Sequence, residues 1–159
     1  MHYEIERKFL VRDAAFKRLS VKTYRIRQGY IAHDGGNTVR VRIRDGQGFL
    51  TIKGPSRDGV SRYEWEREIP LSDAEELFLL CRGGAIDKTR YLVPAGHAPA
   101  GKYFEVDEFY GDNEGLVMAE IELDSPDQPF DHPAWLGEEV TGDPRYYNSY
   151  LLHHPYKHW

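Results

Sequence analysis

HYEIERKFLV, residues 2–11, is the stretch from which the rest of the chain is read. Its polar and apolar letters alternate, which predicts a β-strand. Alternate side chains of a strand leave opposite faces, so Glu4, Glu6 and Lys8 share one face and Ile5, Arg7 and Phe9 the other. Two carboxylates on one crowded face repel, and a cation relieves them. Hard divalent ions choose carboxylate oxygens. A lysine one step further along suits a ligand that carries negative charge. A half-exposed edge strand would show the same letters, so the decision rests on what the other strands do.

Outward from that stretch, the same alternation returns. Residues 22–33 alternate, with Arg25 and Arg27 on one side and Tyr24 and Ile26 on the other. Asp34-Gly35-Gly36-Asn37 is a turn signal. Residues 38–44, TVRVRIR, line Arg40, Arg42 and Arg44 against Val39, Val41 and Ile43. Residues 49–53 put Lys53 in phase with Thr51. Residues 61–69 put Arg62, Glu64, Glu66 and Glu68 on one face. Lys88 and Arg90 are in phase in residues 86–93, Glu105 and Asp107 in 102–109, and Glu120 and Glu122 in 116–123. Short helices are expected at residues 13–20, capped by Asp13, and from Ser72, where Ser72 and Glu75 fit a capping box. That second helix should run to Gly83-Gly84, with Cys81 on its apolar side. Residues 94–101 read as a loop, and a last short helix is expected near Tyr146.

About eight strands in hairpin order therefore carry charge on one face and apolar residues on the other. The charges are sorted by strand, although like charges in register repel and a solvated face has no need of sorting. Arginine dominates the cationic rows, and its planar fork matches phosphate oxygens. A closed barrel with the charged faces inward offsets each row by opposite charge across the lumen. Such a lumen is too polar to pack as a core, so it should be wet and hold a ligand. Metal-bound polyphosphate meets both demands. The expected fold is α+β: an eight-stranded antiparallel closed β-barrel, a tunnel with a charged interior and flanking helices.

Composition narrows the alternatives. A 40% hydrophobic share with 13% aromatics argues against disorder. A net charge of −5 disfavours a nucleic-acid surface. Cys81 is the only cysteine, which leaves no internal disulfide and no thiolate cluster. No apolar run reaches membrane length. These features predict one domain over residues 1–159, soluble and cytoplasmic, with no nucleic-acid or membrane partner.

The ordered set of motifs resembles the CYTH superfamily, the triphosphate tunnel metalloenzymes, and most of all its small bacterial members. Glu4-Ile5-Glu6-Arg7-Lys8 is similar to the EXEXK signature. Arg27-Gln28-Gly29-Tyr30, Val39-Arg40-Val41-Arg42, Thr51-Ile52-Lys53, Tyr63-Glu64-Trp65-Glu66, Lys88-Thr89-Arg90-Tyr91, Glu105-Val106-Asp107, Glu120-Ile121-Glu122 and the tail from Glu139 to Asn148 follow in family order. The resemblance implies a tunnel that binds triphosphates with Mg2+ or Mn2+. It implies phosphate contacts from Lys8, Arg40, Arg42, Lys53, Lys88 and Arg90, with Arg27, Tyr30, Arg62 and Arg145 as further substrate-binding positions. Glu4, Glu6, Glu120 and Glu122 would hold metal. Glu64, Glu66 and Asp107 would bind metal or orient water and basic groups. Arg44 and Glu68, near strand ends, are expected in solvent.

The implied reaction is hydrolysis of a terminal phosphoanhydride, with inorganic tripolyphosphate as the first expected substrate. Organic triphosphates (thiamine triphosphate or a nucleotide) stand second. A class IV adenylate cyclase stands below both hydrolases, and a polyphosphate-binding module without catalysis stands apart as a different class. Small members of the family commonly dimerise, so a homodimer is an open expectation without a marked interface.

Overall fold

The computed structural model describes residues 2–96 and 101–159. The middle of the expected 94–101 loop lies outside the described residues. Among the described residues nine strands and three short α-helices follow one another: β1 (Tyr3–Val11), α1 (Ala15–Leu19), β2 (Lys22–Asp34), β3 (Asn37–Arg44), β4 (Gln47–Lys53), β5 (Ser61–Ile69), α2 (Leu71–Leu77), β6 (Ile86–Pro94), β7 (Tyr103–Phe109), β8 (Val117–Glu122), β9 (Leu136–Glu139) and α3 (Asn148–Leu151).

Antiparallel pairing runs in the order β5-β4-β3-β2-β6-β7-β8-β1, and β1 pairs with β5 to close an eight-stranded barrel. The closing contact is short, with Tyr3 opposite Tyr63 and Ile5 opposite Ser61. The other end of β1 pairs with β9, a strand the sequence reading did not expect. Tight turns set the register of the long hairpins. Gly35 and Gly36 adopt φ of 58° and 84° between β2 and β3, a region closed to most side chains. Asp45 fastens the next turn: its carboxylate accepts the Arg25 amide at 2.8 Å.

Apolar residues leave the barrel on both sides of the wall, for two reasons. Outside, Phe9, Val93, Phe104, Val106, Ala119 and Ile121 are covered by Phe16 of α1 and by Trp135. Full burial of each large side chain contributes roughly 1.5–3 kcal/mol. Ala74 of α2 is likewise fully buried, as is Val41 of β3. Inside, Leu10, Ile86, Phe109 and Met118 come from the same end of β1, β6, β7 and β8. They pack with Leu116, Tyr146 and Leu151 into a second apolar cluster. That cluster stops one end of the lumen, so the barrel is hollow along only part of its length.

Three local expectations are corrected. α2 begins at Leu71 behind Pro70, whose extended backbone serves as the N-cap, so Ser72 lies within the helix and no side chain caps it. The helix gives way to a 3-10 turn at Phe78–Leu80, and Cys81 lies beyond it, half-buried. Its Sγ would stand 2.7 Å from a Cβ on Gly29, so β2 needs glycine there. Asp13 acts one residue before the expected cap geometry, accepting the Ala15 amide at 2.8 Å. Among the described residues no helix is long and apolar enough to cross a membrane.

Candidate active site

Inward alternation on the eight barrel strands delivers their polar side chains to one cavity of about 230 Å³. Sorted by strand order, the wall divides into two arcs. Neighbouring strands β5, β1, β8 and β7 present Glu64 and Glu66, Glu4 and Glu6, Glu120 and Glu122, Glu105 and Asp107. Lys8 and Arg62 are the basic residues on that side. Neighbouring strands β4, β3, β2 and β6 present Lys53, then Arg40, Arg42 and Arg44, then neutral Gln28 and Tyr30, then Lys88 and Arg90.

The arcs meet at two seams, and there the charges pair. At the β4–β5 seam, Lys53 Nζ lies 2.6 Å from Glu4 and 3.5 Å from Glu64. Arg40 reaches Glu66 at 3.6 Å and Thr51 Oγ1 at 3.1 Å. At the β6–β7 seam, Arg90 forks onto both oxygens of Asp107 at 2.8 and 2.9 Å and also donates to Glu105 at 2.8 Å. Lys88, 1% exposed, donates to Asp107 at 2.8 Å and to Asn148 Oδ1 at 3.0 Å.

Midway along each arc pairing thins out: on the acidic side Lys8 Nζ reaches Glu120 at 3.6 Å, while other charges have no ion pair among the described residues. Arg42 makes no ion pair among the described residues; its Nε and Nη2 both donate to the neutral Gln28 Oε1. Arg44 lies over the rings of Tyr24 and Phe49. The Nε atoms of Arg40 and Arg44 are buried without a hydrogen-bond partner among the described residues. Burial, together with Arg40 and Arg90, pushes Arg42 down to about 9. On the acidic arc, Glu6 of β1 stands directly beside Glu122 of the neighbouring β8, a like-charged pair in register. Burial, with Glu120 and Glu4 nearby, raises Glu6 well above the carboxylate range. Burial, with Glu4 and Glu105, raises Glu122, and burial beside Glu4 raises Glu64 to about 7.

Where a carboxylate has a cation beside it, the shifts reverse. Burial would raise Glu4, but Lys53 holds it well below its ordinary value. Glu120 is likewise buried, yet Lys8 and Arg90 hold it at about 2. Burial and the neighbouring arginines push Lys88 down to about 7, with Asp107 opposing them.

Among the described residues no three His, Cys, Asp or Glu side chains form a ready-made metal cage. The donor chemistry nevertheless fits a hard divalent cation. Glu6 and Glu122 have no ion pair among the described residues and are driven toward protonation by burial and by their acidic neighbours, which a cation would relieve.

Glu4, Glu6, Lys8, Tyr30, Arg40, Arg42, Lys53, Arg62, Glu64, Glu66, Lys88, Arg90, Glu120 and Glu122 all line the cavity. Asp107 sits behind the lining, its oxygens taken by Lys88 and Arg90. Arg62 turns to the backbone, donating to Gly54 and Gly36 carbonyls at one mouth. Two expected substrate contacts are corrected. Arg27 is on the outer face of β2, stacked on Phe78 at 4.1 Å. Arg145 is exposed and pairs with Asp143 at 2.7 Å. Arg44, expected in solvent, lines the lumen instead. Gln28, Thr38, Thr141, Tyr147 and Asn148 also line it without having been singled out. The phase of Gln28 with Ile26 is a usable signal; for Thr141, Tyr147 and Asn148 periodicity offers none, and only the family order of the tail points to them.

Comparison with known proteins agrees with this architecture. A curated protein of Acetivibrio thermocellus, named inorganic triphosphatase, is 49% identical over 160 residues, covering 100% of this chain and 99% of that one. A protein of Nitrosomonas europaea with the same name is 40% identical over 151 residues, covering 93% of this chain and 95% of that one. A crystal structure described as an inorganic triphosphatase is 35% identical, with a TM-score of 0.63, covering 96% of this chain and 95% of its own. A Hippeastrum protein, 15% identical with a TM-score of 0.62 over 82% of this chain and 91% of its own, shares the fold. The CYTH domain family model matches residues 2–147, and with these likenesses the chain belongs to the CYTH family.

Proposed function

We propose that this chain hydrolyses the terminal phosphoanhydride of a triphosphate, that the substrate is inorganic tripolyphosphate, and that Mg2+ or Mn2+ is required. The observation that carries this reading is the pair of unmatched charge clusters facing each other across one lumen: Arg42 and Arg44 on one arc, Glu6 and Glu122 on the other. A polyanion and a divalent cation, bound together, satisfy both. The names of the two curated relatives support the same activity.

In this reading Arg40, Arg42 and Arg44 bind the phosphoryl oxygens, with Lys8, Lys53, Lys88 and Arg90 completing the cationic wall. Glu4, Glu6 and Glu122 would hold the divalent ion, with Glu64 and Glu120 at its edge. A bound divalent ion would shield charge on the phosphate oxygens and lower the pKa of its water. Fixed guanidinium groups stabilise the negative charge spread over the transferring phosphoryl group without reorganising at the moment of reaction. Glu64, near 7, is the carboxylate suited to take a proton from the attacking water at neutral pH. The water oxygen bonds the terminal phosphorus, the bridging P–O bond breaks, and orthophosphate and pyrophosphate leave. Asp107 positions Lys88 and Arg90 rather than touching substrate.

The inorganic substrate is favoured because the amides and rings of the lining are already engaged. Gln28 is bonded to Arg42, Asn148 to Lys88, and the Tyr147 ring lies under Lys8 Nζ. Tyr30, a further ring of the lining, has its hydroxyl engaged by Gln28 Nε2, so few groups are left to recognise a base. The test is a panel of tripolyphosphate, thiamine triphosphate and ATP with Mg2+ or Mn2+, read for phosphate, pyrophosphate and cyclic AMP. Equal phosphate and pyrophosphate from tripolyphosphate, lost on chelation, is the expected result. Preferred turnover of ATP to cyclic AMP, or no turnover of tripolyphosphate, overturns it.

A further inference from the structure

Gln28 stands on β2 between Arg42 of β3 and Lys88 of β6, and it is 1% exposed. Its Oε1 accepts two hydrogen bonds from one edge of the Arg42 guanidinium, from Nε at 2.9 Å and Nη2 at 2.7 Å. With the oxygen so committed, Nε2 donates to the Tyr30 hydroxyl at 3.1 Å and to Asn148 Oδ1 at 3.4 Å. Asn148 Oδ1 also accepts from Lys88 Nζ at 3.0 Å. One chain of amides therefore links two cations of the basic arc through β2 and α3.

Resting on the triphosphatase reading above, we propose that Gln28, seconded by Asn148, is a positioning residue that fixes the direction of Arg42 while leaving its positive charge free for a phosphate. The alternative is visible in the same wall. Arg90 is oriented by the Asp107 carboxylate, which fixes it and neutralises it together. A carboxylate at position 28 would accept the same two donors more strongly. It would also cancel the charge that the substrate needs. An apolar side chain would leave the charge but release the guanidinium. Of the common side chains of this length, the amide alone offers an acceptor without a charge.

The experiment separates orientation from charge. Gln28→Glu keeps the acceptor and cancels the charge; Gln28→Met keeps the charge and removes the acceptor. Steady-state kinetics on tripolyphosphate with Mg2+, beside thermal melts of each variant, give the readout. Gln28→Glu is expected to raise KM by roughly 10- to 100-fold, the equivalent of one hydrogen bond to a charged group. Gln28→Met is expected to lower kcat with a smaller change in KM. Asn148→Asp, at a half-buried position, puts the same question to Lys88 should Gln28→Glu fail to fold, and a raised KM is again expected. Wild-type turnover with an unchanged KM in the folded carboxylate variant, or variants that lose only their folded fraction, overturns the positioning role alone. Absence of wild-type turnover on tripolyphosphate overturns the functional reading and this inference with it.

Discussion

The basic arc and the acidic arc are built from the same alternation, but they hold their charges differently. On the basic arc the unmatched cations are immobilised by neutral groups: Gln28 anchors Arg42, and two aromatic rings sandwich Arg44. On the acidic arc the unmatched carboxylates are left against one another, and burial beside Glu4 and Glu120 drives Glu6 toward its protonated form. One arc is ready for an anion before it arrives; the other gains its full charge only when a cation does. The seams differ from both, since every inward cation there has a carboxylate. Ion pairs in this barrel hold the wall together at the seams, and in the proposed reading the charges left without a partner mark where phosphate and metal enter.

That contrast can be broken most strongly at a seam. Asp107→Asn leaves Lys88 buried without its counter-ion and Arg90 with Glu105 alone, and it should destabilise the fold by about 3–5 kcal/mol. Chemical denaturation measures it; a stable Asp107→Asn protein would show that the seam is dispensable. Next comes Arg42→Ala, midway along the basic arc. It should cost about 2.7–4 kcal/mol of transition-state stabilisation, or 10²–10³ in kcat. Its melting temperature should fall less than that of Asp107→Asn, because no ion pair is lost and only Gln28 Oε1 is left without its two donors. A smaller effect is expected from Glu6→Gln on the facing arc: maximal turnover should persist in part but require more divalent ion. Titrating activity against Mg2+ reads it directly.

Acidity sharpens the comparison further. Glu64 is raised from 4.5 to about 7, so its contribution to stability is present below its ordinary value and is lost as pH rises through about 7. In chelator the melting temperature should therefore fall between pH 4.5 and 7. Glu64→Gln should flatten part of that slope, and Mg2+ should reverse it. Smallest of all, Arg27→Ala and Arg145→Ala, both outside the lumen, should leave kcat/KM within about twofold of the wild type.

Much of this arrangement was legible in the letters, and the exceptions have physical causes. Strict period two with charges sorted by strand placed the rows Arg40–Arg42, Glu64–Glu66, Lys88–Arg90 and Glu120–Glu122 on one lumen. β2 reverses the rule: its arginines point outward, and neutral Gln28 and Tyr30 point in. Phase alone would have said so, since Gln28 shares its face with the fully buried Ile26. Arg44 was assigned to solvent by its place near a strand end, although it is in phase with Arg40 and Arg42. The apolar stopper and β9 were not readable, because Phe109, Met118 and Leu151 look like any core residues until the barrel end is closed. Asn148 reaches the lumen only through the packing of the C-terminal turn, which no periodicity encodes.

The most direct test is a crystal structure with Mn2+ and tripolyphosphate bound to a slow variant such as Arg42→Ala, compared with the wild type under chelation. The account predicts an anomalous manganese peak beside Glu6 and Glu122, with the phosphates against the arginines of β3. Manganese elsewhere on the molecule, or phosphates bound on the outer face near Arg27 or Arg145, would contradict it.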